Sequence, residues 1–152
     1  MDTIRFAIAG AGGRMGRTLI EAVLKAPDAR LAGALEVTGS PFLGKDAGEL
    51  VGSPCGVAIS DDIEATLAKA DCLIDFTRPE GTLRHMESCR RRGVHMVIGT
   101  TGMNAAQKQA IQEAASDIPV VFAPNMAVGV NLVFKLLDTA ARILDEGYDV
   151  EI

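Results

Sequence analysis

The stretch IRFAIAGAGGRMG, from Ile4 to Gly16, constrains the fold of this chain more than any other. Ile4, Phe6, Ile8 and Ala9 have the composition of a buried parallel strand, which ends abruptly in Gly10, Gly12, Gly13 and Gly16. Met15, Leu19, Ile20 and Val23 then recur at helical spacing. A strand that turns through glycines into a helix leaves free N–H groups and the positive end of the helix dipole at the turn. No β-carbon keeps an anion away from them. The strict G-x-G-x-x-G pattern is not met: Gly10 and Gly12 fit, but the third position falls on Met15. The run reads better as G-x-x-G-x-x-G through Gly10, Gly13 and Gly16. Two interpretations stand at this point, a dinucleotide-binding turn and a purely structural one.

An acid at a fixed distance favours the first. Glu36 closes a second strand, Leu31 to Glu36, and lies 20 positions after Gly16, where a carboxylate that binds ribose hydroxyls belongs. Val37, Thr38 and Gly39 follow it, with no arginine placed to hold a 2′-phosphate, which tilts the expectation toward NADH. Arg14, Arg17 or Lys45 can still supply charge, so use of NADPH stays open.

With 152 residues, 48% of them hydrophobic, the chain can bury a core of ordinary single-domain size. Its formal net charge of −5 and scattered basic residues give no electrostatic footprint for nucleic acid. The one basic cluster, Arg90, Arg91 and Arg92, reads as the solvated C-terminal turn of a helix, where cations suit the dipole. Cys55, Cys72 and Cys89 lack metal-ligand spacing and read as reduced thiols. No signal peptide and no apolar run of membrane-spanning length is visible, so a soluble cytoplasmic protein is expected, with no membrane partner.

Strand-like and helix-like segments alternate along the chain. Gly39 to Gly56 reads as a long, mobile excursion with one short helix around Asp46 to Leu50. Val57 to Ser60 reads as a strand, Asp61 or Asp62 as the cap of a helix through Ala70, and Cys72 to Phe76 as a buried strand. Pro79 starts a helix to Arg92, Val94 to Ile98 is a strand, Asn104 caps a helix to Ser116, and Pro119 to Ala123 is a further strand. Right-handed crossovers make such a series an α/β, doubly wound parallel sheet, which binds ligands at the carboxyl ends of its strands. Those ends carry Gly10 to Gly16, Glu36, Asp75-Phe76-Thr77, Gly99-Thr100-Thr101-Gly102 and Ala123-Pro124-Asn125-Met126. Thr100 and Thr101 offer hydroxyls and open backbone to a flat ligand, or form only a tight turn before Asn104.

GAGGRMGRTLIEA, DFTRPEGTL, VIGTTG and APNMAVGVNL, in this order and spacing, resemble the 4-hydroxy-tetrahydrodipicolinate reductase (dihydrodipicolinate reductase) family of bacterial lysine biosynthesis. The resemblance covers essentially the whole chain. It implies a Rossmann-like sheet and an oxidoreductase that transfers hydride from NAD(P)H to a cyclic α,β-unsaturated imine, on the path to diaminopimelate and lysine. By motif, Gly10, Ala11, Gly12, Gly13, Arg14 and Met15 resemble the pyrophosphate loop and Glu36 the ribose acid; the family often has a basic residue where this chain has Val37. Gly99, Thr100 and Thr101 resemble the segment lining the nicotinamide, with Thr101 also near the substrate. Ala123, Pro124, Asn125 and Met126 resemble a second nicotinamide-side loop, with Phe76 and Thr77 nearby.

In the family an α+β substrate domain follows, opening with adjacent histidines, a lysine and a Pro-Ser-Gly-Thr turn that grip a cyclic dicarboxylate and protonate the product. None of these occurs here, so no catalytic residue is expected in this chain, which alone is expected to be inactive. His85 and His95, the only histidines, read as structural. The resemblance divides the chain into a dinucleotide-binding domain, 1–127, and a connecting helix with the start of the substrate domain, 128–152. Val130, Leu132, Val133, Leu136, Leu137, Ala140, Ala141 and Leu144 cover more of a helix than one amphipathic face needs, as expected of a helix that packs on further chain. Tyr148 to Ile152 reads as the beginning of a strand. A homotetramer is implied for the full-length protein. An NAD-binding regulatory module, or another Rossmann oxidoreductase such as a homoserine or aldehyde dehydrogenase, would share the glycine turn; the latter would not be expected to combine it with the other three motifs. No Cys/His cluster at ligand spacing and no Gly-x-Ser-x-Gly elbow is present, which disfavours a metal enzyme or a triad hydrolase.

Overall fold

A computed structural model describes residues 3–144 and 147–149. The chain divides into two compact units, Met1–Phe122 and Ala123–Ile152.

The first unit is built on six parallel strands: β1 (Ile4–Ala9), β2 (Ala29–Leu35), β3 (Ile59–Ser60), β4 (Cys72–Asp75), β5 (His95–Ile98) and β6 (Val120–Phe122), in the order β3-β2-β1-β4-β5-β6. The chain winds outward from β1 to β3, crosses back to β4, and winds outward the other way. The switch point of this doubly wound sheet therefore lies between β1 and β4, where Ala9 pairs with Asp75. Ala9 also pairs with Leu35, Asp75 with Ile98 and Ile98 with Phe122, so these strands end in one row.

Alternation along β1 divides the core between the two faces of the sheet. Ala7 and Ala9 join one buried cluster with Leu73, Met86, Met96, Ile98 and Ile111, while Ile8 joins the other with Ile20, Leu31, Ala34 and Ile59. The helices are α1 (Arg14–Lys25), α2 (Ile63–Leu67), α3 (Pro79–Arg92) and α4 (Ala105–Ala114). Each begins where the local chemistry permits. Asp62 accepts from Ala65 N–H, Pro79 opens α3, and Asn104 exchanges hydrogen bonds with Gln107 in a capping box.

Element types match the sequence reading, and several bounds differ. β2 starts earlier, at Ala29, and stops at Leu35, so Glu36 stands just beyond it; α2 ends at Leu67 rather than Ala70. The short helix expected around Asp46 is a 3₁₀ turn at Gly48–Val51. The excursion expected to be mobile is tied down by Asp46, whose carboxylate accepts from the N–H groups of Gly48, Glu49, Cys55 and Gly56. The Cys55 N–H, with those of Gly56 and Gly48, holds this carboxyl at about 2. The arginine cluster is not simply solvated: Arg90 pairs with Asp117, and Arg91 and Arg92 pair with Glu64, tying the end of α3 to its neighbours.

The second unit contains α5 (Val128–Ile143), in which no residue is buried. Before it, Asn125 Oδ1 accepts from Ala127 N–H, and Asn131 Nδ2 donates to the Asn125 and Ala127 carbonyls. Of the strand expected at Tyr148 to Ile152, Tyr148 and Asp149 are described and lie in no strand, and the remainder falls outside the described residues.

Candidate functional site

The glycine turn leaves β1 at the sheet's switch point. Gly10 adopts φ +72°, which a β-carbon disfavours, and donates to Leu35 O, as does Ala11 N–H. Gly16, the third glycine of G-x-x-G-x-x-G, lies so close to the Gly10 carbonyl that a β-carbon there would overlap it. This contact seats α1 against the end of β1. The helix is capped by Gly13 with no capping side chain and no acid in its first turn, and among the described residues the N–H groups of Arg14 and Met15 have no acceptor. Free donors, a positive dipole end and Arg14 and Arg17 in one turn fit the residues present to an anionic phosphate.

Glu36 faces this turn. Its Oε1 accepts from Gly12 N–H at 2.8 Å and its Oε2 from Val37 N–H at 3.1 Å. The structure thus brings the sequence-expected acid and the glycine loop into direct contact. Beside them lies a residue the sequence reading did not single out, Phe42, whose ring fills the space a β-carbon on Gly12 would need. Its signal was the single aromatic residue in the Gly39 to Gly56 excursion.

A second corner forms where β4 and β5 end. Phe76 packs its ring on Gly99, where a β-carbon would overlap it, and Gly99 N–H donates to Asp75 O at 2.9 Å. Beneath lies a polar network around Asp75, which has no exposed surface. Asp75 Oδ1 accepts from Thr77 N–H at 2.9 Å and Thr77 Oγ1 at 2.6 Å, with Thr100 Oγ1 at 3.3 Å; Oδ2 accepts from His85 Nδ1 at 2.7 Å. Thr82 Oγ1 donates to Thr100 Oγ1 at 2.8 Å, and Thr100 Oγ1 accepts from Thr77 N–H at 3.1 Å. Burial pushes the Asp75 carboxyl up, but the hydrogen bond and charge of His85, with the Thr77 donors, outweigh it and hold the carboxyl below its ordinary value.

This arrangement refines the sequence reading of the two threonines. Thr100 is 3% exposed and its hydroxyl turns into the protein, whereas Thr101 is exposed. His85 has the structural role expected of it, as Asp75's partner, and His95 opens β5 at the surface. Phe76 and Thr77 stand at this corner; Ala123, Pro124, Asn125 and Met126 belong to the second unit. The three cysteines are free, and burial pushes the Cys72 and Cys89 thiols up to about 11 and about 12. Among the described residues, no group of three or more His, Cys, Asp or Glu is placed to hold a metal, and no helix is long and apolar enough to cross a membrane.

Comparisons with known proteins point one way. Residues 4–126 match the family described as "Dihydrodipicolinate reductase, N-terminus". Over 152 residues the chain is 65% identical to the 4-hydroxy-tetrahydrodipicolinate reductase of Dechloromonas aromatica and 64% identical to that of Aromatoleum aromaticum. All of this chain takes part in both alignments, which cover 57% and 55% of those proteins, so it spans little more than half their length. Among solved structures, the dipicolinate-bound dihydrodipicolinate reductase of Paenisporosarcina sp. TG-14 superposes with a TM-score of 0.75 at 29% identity, over 91% of this chain and 54% of that one.

Proposed function

The chain belongs to the dihydrodipicolinate reductase family, matching its N-terminal part, and from this premise we propose that it forms the cofactor half of an NAD(P)H-dependent reductase. The reaction is reduction of 4-hydroxy-tetrahydrodipicolinate to tetrahydrodipicolinate, in the synthesis of diaminopimelate and lysine. The observation that carries the reading is the 65% identity to a named reductase over the full length of this chain. The contact of Glu36 with the glycine turn supplies its physical basis.

When bound, the dihydronicotinamide supplies the hydride. The chain's own residues bind and orient. Gly10, Ala11, Gly12, Gly13, Arg14 and Met15 hold the pyrophosphate on backbone N–H groups at the start of α1. Glu36 accepts from the adenosine ribose hydroxyls. The Asp75, Thr77, Thr82, Thr100 and His85 network fixes the ends of β4 and β5, so that Phe76, Thr77, Gly99, Thr100 and Thr101 present a rigid wall to the nicotinamide, with Thr101 nearest the substrate. Ala123, Pro124, Asn125 and Met126 enter this proposal on the family resemblance of their sequence alone. No residue of this chain is assigned the delivery of a proton. Residues 1–127 are the dinucleotide-binding domain, and 128–152 connect it to the substrate domain. NADH is preferred, because the exposed Val37 after Glu36 offers no charge to a 2′-phosphate. A cytoplasmic homotetramer is the expected full-length assembly.

Calorimetric titration of the chain with NADH tests the proposal. Wild type binds, and Glu36→Ala weakens binding by about tenfold or more, the equivalent of one charge-assisted hydrogen bond. Absence of wild-type binding, or equal binding by the variant, removes Glu36 and the glycine turn from the cofactor site.

A further inference from the structure

A cavity of about 320 Å³ in the first unit shares no residue with the glycine turn or with the Asp75 corner. Its origin lies in β2. Phe6 pairs with Leu31 but Ala7 with Gly33, so Ala32 is an extra residue that bulges from the ladder. β3 pairs only with Ala34 and Leu35, which leaves the earlier part of β2 without a strand on that side. α2 packs beside this stretch, so closely that a β-carbon on Gly33 would overlap the Thr66 methyl. The facing wall is Val57 and Ala58, held by the hydrogen bond from Ala47 N–H to Val57 O and by the β-bridge between Asp46 and Ala58.

Two polar side chains on this wall have no partner among the described residues. Thr66 is 6% exposed, yet its hydroxyl, unlike those of Thr77, Thr82 and Thr100, makes no hydrogen bond there. Among the described residues, every side-chain oxygen or nitrogen sealed from solvent is hydrogen-bonded, so the Thr66 hydroxyl opens on the cavity that its residue lines. Lys69, just beyond α2, has no carboxylate within 4.0 Å. Three acids of this region are already committed: Asp62 to the Ala65 N–H, Glu64 to Arg91 and Arg92, and Asp71 to Arg5. Around these two donors the wall is small and apolar, at Ala32, Val57 and Ala65.

We propose that this cavity binds a small monocarboxylate, with the Lys69 ammonium as its counter-ion, the Thr66 hydroxyl as a donor to the same carboxylate, and a short apolar body resting on Ala32, Val57 and Ala65. An ammonium and a free hydroxyl both donate, which selects an anion over a cation or a neutral amide. The apolar part of the wall selects against an ion that is oxygen on every side, such as phosphate, because burying that wall against polar atoms returns nothing. The volume stands at the small end of ligand pockets and limits the body to a few carbon atoms. The site is separate from the dinucleotide site and does not depend on it.

Titration of the isotope-labelled chain with butyrate, followed by amide chemical shifts, tests the proposal. Saturable shifts are expected at Gly33, Gly56 and Lys69 in the millimolar range, the affinity that so few ligand atoms allow. Lys69→Gln and Thr66→Val each weaken binding about fivefold, the loss of one net hydrogen bond, while Thr66→Ser retains it. Butyramide, which has the same shape without the charge, and inorganic phosphate, which has the charge without the apolar body, both bind more weakly than butyrate. Lys69 is exposed, so Lys69→Gln keeps the fold and decides the matter should Thr66→Val fail to fold, as its urea midpoint reports. Absence of saturable shifts at these amides overturns the site, and so does binding unchanged in Lys69→Gln. Phosphate binding as tightly as butyrate overturns the ligand class. The outcome of the NADH titration bears on the proposed function and not on this cavity.

Discussion

A carboxylate buried without water survives only if its partners replace that water, and Asp75 has four donor groups doing so. His85→Ala removes the donor to Oδ2. The variant is expected to lose about 1–3 kcal/mol of stability at neutral pH, measured by urea denaturation. The pH dependence follows from the direction of the shift. The folded Asp75 carboxyl is held below its unfolded value, so its stabilising contribution is fully present above the unfolded value and is lost as pH falls through the folded one. Without His85 the folded value rises, and the midpoint of acid unfolding moves to higher pH; an unmoved midpoint would show that His85 does not hold the ionised form. In the sequence, Asp75 is a lone acid at the end of an apolar strand and His85 a lone base on a helix. Ten positions of separation along a strand, a turn and a helix carry no signal that the two meet. The same limit applies to Thr100 and Thr101: both are hydroxyls between glycines, and only the depth of the β5 end decides that Thr100 turns inward.

Among the elements, those with strong local punctuation were legible. Pro79 and Gly93 delimit α3, the latter at φ +68°, and Asn104 with Gln107 delimits the start of α4. Asn104→Ala removes one half of that capping box and is expected to cost about 1 kcal/mol, read as a lowered urea midpoint at unchanged slope. A variant as stable as wild type would mean that α4 is held by the packing of Ile111 and Ala114 alone. Elements without such signals were read less accurately. α2 is shorter than its polar cap and apolar spacing suggest, and the Gly39 to Gly56 segment looks loose from its glycines and serines. It is fixed by Asp46, a single carboxylate that collects N–H groups from both ends of one turn. Composition reports the freedom of a segment in isolation and is blind to a side chain that closes the loop on itself. The arginines ending α3 likewise read as solvated because their partners, Glu64 and Asp117, lie on other elements.

At the scale of the whole molecule, all six strands and both buried clusters lie within the unit that ends at Phe122, and α5 contributes no buried residue. A chain shortened to residues 1–127 is therefore expected to unfold in one cooperative thermal transition and to bind NADH as the 152-residue chain does. Loss of that transition would show that residues beyond 127 complete the core. What the sequence determined by itself is the fold class, the family and which strand ends carry the glycine turn and the acid after β2. Periodicity, glycine spacing and a carboxylate at the end of the second strand are local in the chain, and the family motifs are contiguous. What only the tertiary structure decided is which side chains meet: Phe42 on Gly12, Arg17 and Lys45 on Phe42, Phe76 on Gly99, and His85 on Asp75. These contacts join residues on different elements. Their geometry is fixed by strand order and by the depth of each strand end, which no single stretch of sequence encodes.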